Sequence, residues 1–264
     1  MTAGPQDIDG LRDALLGWYA GARRDLPWRR TSDPYAILVS EVMLQQTQVA
    51  RVVPRYLAWL ERWPTAAALA AASREDVLRA WVGLGYNRRA LALHAAAAVV
   101  ARDGWPADLR ARPGVGPYTA AAVGSFAFGH DVAAVDTNAR RVAERLGRGT
   151  PQELVPEGRG ADWNQAIMEL GATMCTARRA RCGECPVGTW CASAGSVEAP
   201  RPRAARERAR FEDTNRFVRG RVVAALAAGE ALPAGIAQER LDHALSGLQR
   251  DGLVRRTARG FTLG

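Results

Sequence analysis

At 264 residues the chain is long enough to bury one or two cores unaided, so a metal site here need not compensate for small size. No apolar run approaches membrane-spanning length and the polar start, Met1–Asp7, looks nothing like a signal peptide, so an integral membrane or secreted protein is not expected. The formal net charge of +9 is carried by 36 arginines and no lysine; part of that usage, like the alanine runs, reflects GC-rich coding, but it suits a polyanionic partner, because guanidinium groups grip phosphate bidentately.

Helical periodicity dominates the chain. Apolar residues recur at three- and four-residue spacing over 11–19, 36–60, 65–82, 88–102 and 119–128, with Pro and Gly punctuating between them. Strand-like alternation is almost absent before residue 200, so 1–200 is expected to be an all-α body. Composition then shifts. Pro200 and Pro202 break the chain, and an arginine-rich stretch predicts a basic linker at 201–215. Beyond it the pattern predicts helices at about 216–228 and 238–251, then a β-hairpin turning at Arg259–Gly260, together a small α+β winged-helix-like domain at 216–264.

All four cysteines fall within one short loop, Cys175, Cys182, Cys185 and Cys191. A set this compact reads as one tetrathiolate site in a reducing compartment. Zinc commonly takes two Cys-x2-Cys pairs, and here one such pair is flanked by longer loops, which also suits the wider cube of a 4Fe-4S cluster. Spacing alone leaves both open, with two disulfides a poorer fit.

Upstream, 112–119 reads Arg-Pro-Gly-Val-Gly-Pro-Tyr-Thr between two helical segments. Gly114 and Gly116, with Val115 between them, free the backbone to turn and leave amides at a helix start, a natural phosphate seat. Glycine turns often only cap helices, but this one resembles a helix-hairpin-helix, which holds DNA phosphate without reading sequence. Asp136 stands between an apolar segment and a new helix, where a plain N-cap is the ordinary explanation. A carboxylate fixed there could also face a cationic transition state. Glu41 is the sole charge in the run 37–49, where a lone carboxylate is suspicious in itself.

Taken in order, Gly114–Gly116, Asp136 and the cysteine loop resemble the helix-hairpin-helix DNA glycosylases that carry an iron–sulfur cluster. The segments 26–29, 34–35, 39–49, 81–86 and 164–171 narrow the likeness to MutY-type adenine glycosylases over about residues 10–195. That resemblance implies a two-lobed helical core over 1–200, with a 4Fe-4S cluster on the four cysteines of loop 175–191. It implies Glu41 as the acid that protonates adenine and Asp136 as the stabiliser of the sugar cation, with Tyr118 and Asn138 beside them. It places Arg24, Trp28 and Gln165 at the adenine pocket, and Gln46, Thr47, Leu84 and Tyr86 against the duplex at the opposite base. Arg178, Arg179 and Arg181, between the first two cysteines, would form a phosphate-binding surface. The partner implied is mispaired double-stranded DNA, bound by a monomer in the cytoplasm at the nucleoid, with no membrane involved; no protein partner is legible.

Position 118 carries a second argument. The strand-cutting branch of the superfamily has a nucleophilic lysine there, and this chain has none anywhere, so a lysine Schiff base cannot form. A monofunctional enzyme is expected. Three departures concern the opposite base. The residues after 200 are too few for the Nudix-like domain of the family, Asn87 stands where a second tyrosine is common, and Arg112 where leucine is usual. Excision of another mispaired base, such as thymine or uracil opposite guanine or a deaminated purine, is the rival enzymatic reading. A non-catalytic DNA-binding protein is the other.

Overall fold

The computed structural model describes residues 7–197 and 210–264, so most of the expected linker lies outside the described residues. In chain order its elements are α1 (Ile8–Ala22), α2 (Pro34–Leu44), α3 (Val49–Arg62), α4 (Ala66–Ala70), α5 (Arg74–Trp81), α6 (Arg88–Asp103), α7 (Pro117–Phe128), α8 (Thr137–Leu146), α9 (Gly160–Thr173), α10 (Asn215–Ala228), α11 (Gln238–Arg250), β1 (Val254–Thr257) and β2 (Gly260–Leu263). Two apolar stretches that read as continuous are each split. The stretch 36–60 breaks where Gln46 turns to φ 54°, and 65–82 breaks at Ser73, whose hydroxyl accepts from Asp76 N and starts α5 afresh.

The chain forms two compact units, one of Met1–Glu41, Asp108–Arg110 and Val115–Pro202, the other of Val42–Ala107, Ala111–Gly114 and Arg203–Gly264. In the first, α1, α8 and α9 pack around Leu11, Leu15, Val142, Leu146, Trp163 and Ile167, all at most 3% exposed. Each such side chain contributes roughly 1.5–3 kcal/mol by burial. Cys175, Cys185, Cys191 and Trp190 lie against this same core, so the cysteine loop is seated on the best-packed part of the unit.

The second unit is built around tryptophan. Trp59 meets Trp63 and Trp81 edge-on, with ring centroids 4.7 and 5.5 Å apart. The terminal module has the two helices and the hairpin that its pattern predicts, with Val254 opposite Leu263 in an antiparallel register. It packs on α5: Arg79 donates to the Ala227 carbonyl, and Arg74 donates to the carbonyls of Gly252 and Gly264 at 2.8 and 3.1 Å. Among the described residues no helix is long and apolar enough to cross a membrane.

Candidate active site

Glu41 is the clearest departure from ordinary surface chemistry. It lies within α2, a helix apolar on every side, and is only 6% exposed. Burial drives its carboxyl from an ordinary 4.5 up to about 7; a hydrogen bond with Tyr118 pulls the other way, and the nearby Asp136 charge adds to the rise. Tyr118, in the first turn of α7, is pushed well above its usual phenol range by burial and by Glu41. Three residues drawn from three helices thus meet: Glu41, Tyr118 and Asp136.

Asp136 does cap a helix, as the plain reading holds. Its Oδ1 accepts from Ala139 N at 2.6 Å and fixes the start of α8. Oδ2 is held only from the side, by Asn138 Nδ2 at 3.2 Å. Asn138 is in turn oriented by Arg141, whose Nη2 donates to Asn138 Oδ1 at 2.8 Å and to Gly171 O at 2.7 Å, and whose Nε reaches Cys175 O at 2.9 Å. Helix α9 comes so close that a Cβ on Gly171 would stand 2.8 Å from that of Asn138, so only glycine fits. The segment leading to Asp136 is pinned by buried Asn164, which accepts from Ala134 N and donates to Val132 O at 2.9 and 2.8 Å. The carboxylate therefore has little freedom to move.

Among the residues expected at the adenine pocket, Arg24 is held by a group that sequence reasoning missed. Glu169, fully buried in α9, receives Arg24 at 2.6 and 3.0 Å and Arg29 at 2.7 Å. Burial alone would raise its carboxyl, but hydrogen bonds from both guanidinium groups outweigh it and hold it below the usual range. The signal was available, since Glu169 is a lone carboxylate in the run 166–171, the same pattern that marked Glu41. Gln165 is half-buried, with its Oε1 accepting from Tyr19 OH at 2.6 Å, and Trp28 is buried.

The glycine turn has the local geometry of a helix start. Gly114 has φ 72°, and a Cβ there would stand 2.6 Å from that of Ala92, so the position demands glycine twice over. Gly116 is the N-cap of α7 and Pro117 its first residue, an arrangement that leaves backbone amides unpaired at the helix start. Val115 is buried.

Of the residues expected against the duplex, Gln46 and Tyr86 are exposed, Thr47 is half-buried, and Leu84 is 3% exposed. Gln46 and Tyr86 both hold left-handed backbone, φ 54° and 47°, which strains a side-chain-bearing residue by about 1–3 kcal/mol. Arg89, unmarked by any sequence signal, supports that strain. Its Nη1 donates to Val42, Met43 and Gln45 carbonyls at 2.8, 3.2 and 2.6 Å, and its Nη2 to Leu84 and Gly85 carbonyls at 3.1 and 3.0 Å. It ties the end of α2 to the 84–86 loop, and burial lowers its pKa to about 10.

The four cysteines line one small cavity together with Arg145 and Met174. All are unbridged, and Arg145 Nη1 lies 3.2 Å from Cys175 Sγ. Among the described residues no group of three or more His, Cys, Asp or Glu side chains converges on a single metal ion. Arg178, Arg179 and Arg181 are exposed on the loop outside; Arg181 also donates to Thr173 O at 3.0 Å.

The chain matches the family model of the HhH-GPD superfamily base excision DNA repair proteins over residues 39–157. It is 45% identical to the adenine DNA glycosylase of Mycolicibacterium smegmatis, covering 93% of each chain, and 43% identical to that of Mycobacterium tuberculosis, covering 98% of this chain and 94% of the relative. The human adenine DNA glycosylase is 41% identical over 73% of this chain and 41% of its own. Among solved structures, a thermostable thymine-DNA glycosylase superposes with a TM-score of 0.66 at 28% identity, covering 73% of this chain and 98% of that one. An endonuclease III–DNA covalent intermediate superposes at 0.61 and 24% identity, over 73% of this chain and 97% of that one, and shares the fold. With near-full-length identity at this level, the chain belongs to the adenine DNA glycosylase family of HhH-GPD base excision repair proteins.

Proposed function

We propose that the chain hydrolyses the N-glycosidic bond of adenine mispaired with 8-oxoguanine or guanine. The observation that carries this is the pair Glu41 and Asp136, two coupled carboxylates in contrasting settings. Adenine is a poor leaving anion, so a buried acid with a pKa near 7 has a task at neutral pH: protonating a ring nitrogen as the bond breaks. Asp136, anchored through Oδ1 by its cap and held from the side at Oδ2 by Asn138, would face the positive charge that develops on the sugar. Tyr118, hydrogen-bonded to Glu41, would orient its carboxyl, and Asn138 would orient Asp136. Arg24, Trp28 and Gln165 would hold the flipped base, while the amides of Gly114–Gly116 and the arginines at 178, 179 and 181 would take phosphates.

The residues around the cysteine cavity fit a 4Fe-4S cluster, since all four thiols line one cavity and only one pair has the Cys-x2-Cys spacing, the outer two being held by longer loops. Bound by Cys175, Cys182, Cys185 and Cys191, a cluster would clamp the arginine loop onto the first unit's core. Purified protein should be brown, with broad violet absorption and iron in excess of zinc by elemental analysis; a colourless zinc-loaded protein would refute this. A monomer on DNA in the cytoplasm is the setting proposed.

The function is tested with duplexes carrying A, T, U or hypoxanthine in each mispair, followed by alkali. Cleavage at A opposite 8-oxoguanine and guanine is expected, and only after alkali, because the chain has no lysine to cut the strand. No product at those adenines would sink the proposal. Release of T or U opposite guanine would support the rival reading, to which the likeness to a thymine-DNA glycosylase lends some weight.

A further inference from the structure

A cleft of about 1010 Å³ opens in the second unit, walled by residues 45–46 and 82–89 and, across from them, by the C-terminal module. Five arginines line it, Arg51, Arg88, Arg89, Arg216 and Arg219, against one carboxylate, Asp251. Asp251 already pairs with Arg219 and Arg88, and Arg89 is committed to backbone carbonyls. Arg216 makes no ion pair among the described residues. Its guanidinium lies over the rings of Tyr86 and Phe211, 5.1 and 5.2 Å from their centroids, and Nη1 donates to Tyr86 Oη at 2.6 Å.

Both rings are exposed, Tyr86 at 44% and Phe211 at 51%, an unusual amount of aromatic surface to leave in water. Aromatic faces interleaved with a guanidinium in a cationic groove are what an unstacked nucleotide requires: a face to stack on, a planar donor fork for a base edge, and positive charge for the backbone. Gln46, on the same wall, offers an amide that can both donate and accept. The strained backbone at Gln46 and Tyr86 points to a site maintained for use.

We propose that this cleft holds the nucleotide facing the excised base, and that Arg216 of the C-terminal module is a specificity-determining residue for the purine there. The inference rests on the adenine-excision reading for which strand occupies the cleft. Guanine presents O6 and N7 along an edge that a guanidinium fork can span, and 8-oxoguanine keeps O6 there beside its N7–H; a pyrimidine has no matching pair of acceptors. The amide of Gln46 can accept the N7 proton that 8-oxoguanine carries and guanine lacks. The short module would thereby inspect the opposite base.

The test uses the full chain, with Arg216→Ala and Arg216→Lys. It measures single-turnover excision and Kd on duplexes with A opposite 8-oxoguanine, G, C and T. Arg216→Ala is expected to lower the preference for the two guanine-type partners roughly ten- to hundredfold. Arg216→Lys should retain affinity while losing preference, because an ammonium has no fork. If Arg216→Ala lowers the melting temperature, Arg216→Lys decides. Wild-type preference in the lysine variant, or wild-type preference and Kd in the alanine variant, overturns the inference. A wild type that excises no adenine sinks the functional reading instead, and the Kd ratios still decide this one. Preference lost on substitution supports the site, whereas an equal or absent preference overturns it.

Discussion

Glu41→Gln is expected to slow adenine release roughly a hundred- to ten-thousandfold, the range a positioned general acid supplies. The amide keeps the volume and hydrogen-bonding capacity of the side chain but cannot give up a proton. In the wild type the acid must be protonated to act, so kcat/KM should hold below pH 7 and fall about tenfold per unit above it, following a carboxyl displaced to about 7. The same displacement bears on stability. In the unfolded chain the group returns to 4.5, so between 4.5 and 7 the folded state binds more protons and stability falls as pH rises. Above pH 7 the cost of burying the ionised form levels off at about 3 kcal/mol. The Gln variant, having no charge, should therefore melt higher than the wild type at pH 8 and close to it at pH 4. Thermal melts beside single-turnover rates check both. A variant that is inactive but no more stable at pH 8 would mean that folding does not displace this carboxyl upward.

Asp136→Asn should separate capping from catalysis. Asn caps helices about as well as Asp, so stability should change by less than about 0.5 kcal/mol. Adenine release should nonetheless fall roughly a hundred- to a thousandfold, because the charge proposed to face the sugar cation is gone. Asp136→Ala should lose the rate and, in addition, about 1 kcal/mol of stability. Guanidinium-chloride unfolding with excision kinetics on the same preparations distinguishes the two contributions. Wild-type rates in Asp136→Asn would reduce Asp136 to its cap.

Much of the site was legible because its chemistry breaks local rules. A carboxylate in an apolar helix, glycines flanking a single residue before Pro-Tyr, and four cysteines in one loop each stand out against the surrounding pattern, and the helix–helix–hairpin order of the terminal module followed from periodicity and turn residues. The helix breaks inside 36–60 and 65–82 were not legible. Gln46 adopts φ 54° beside carbonyls that Arg89, far along the chain, anchors, and no short window contains both. Nor was the hold of Glu169 on Arg24, expected at the adenine pocket, legible, since the two partners stand 145 positions apart.

By itself the sequence determined what depends on residue type: a loop of four cysteines, a glycine turn at a helix start, a candidate acid and its counter-charge, and the impossibility of a lysine Schiff base. Tertiary structure decided what depends on environment. A carboxyl becomes an acid at neutral pH only when folding withdraws it from water, as happens to Glu41. Likewise, Arg216 is one of 36 arginines until α10 sets it between Tyr86 and Phe211. Desolvation and long-range stacking arise from contacts between distant parts of the chain, and linear spacing does not encode them.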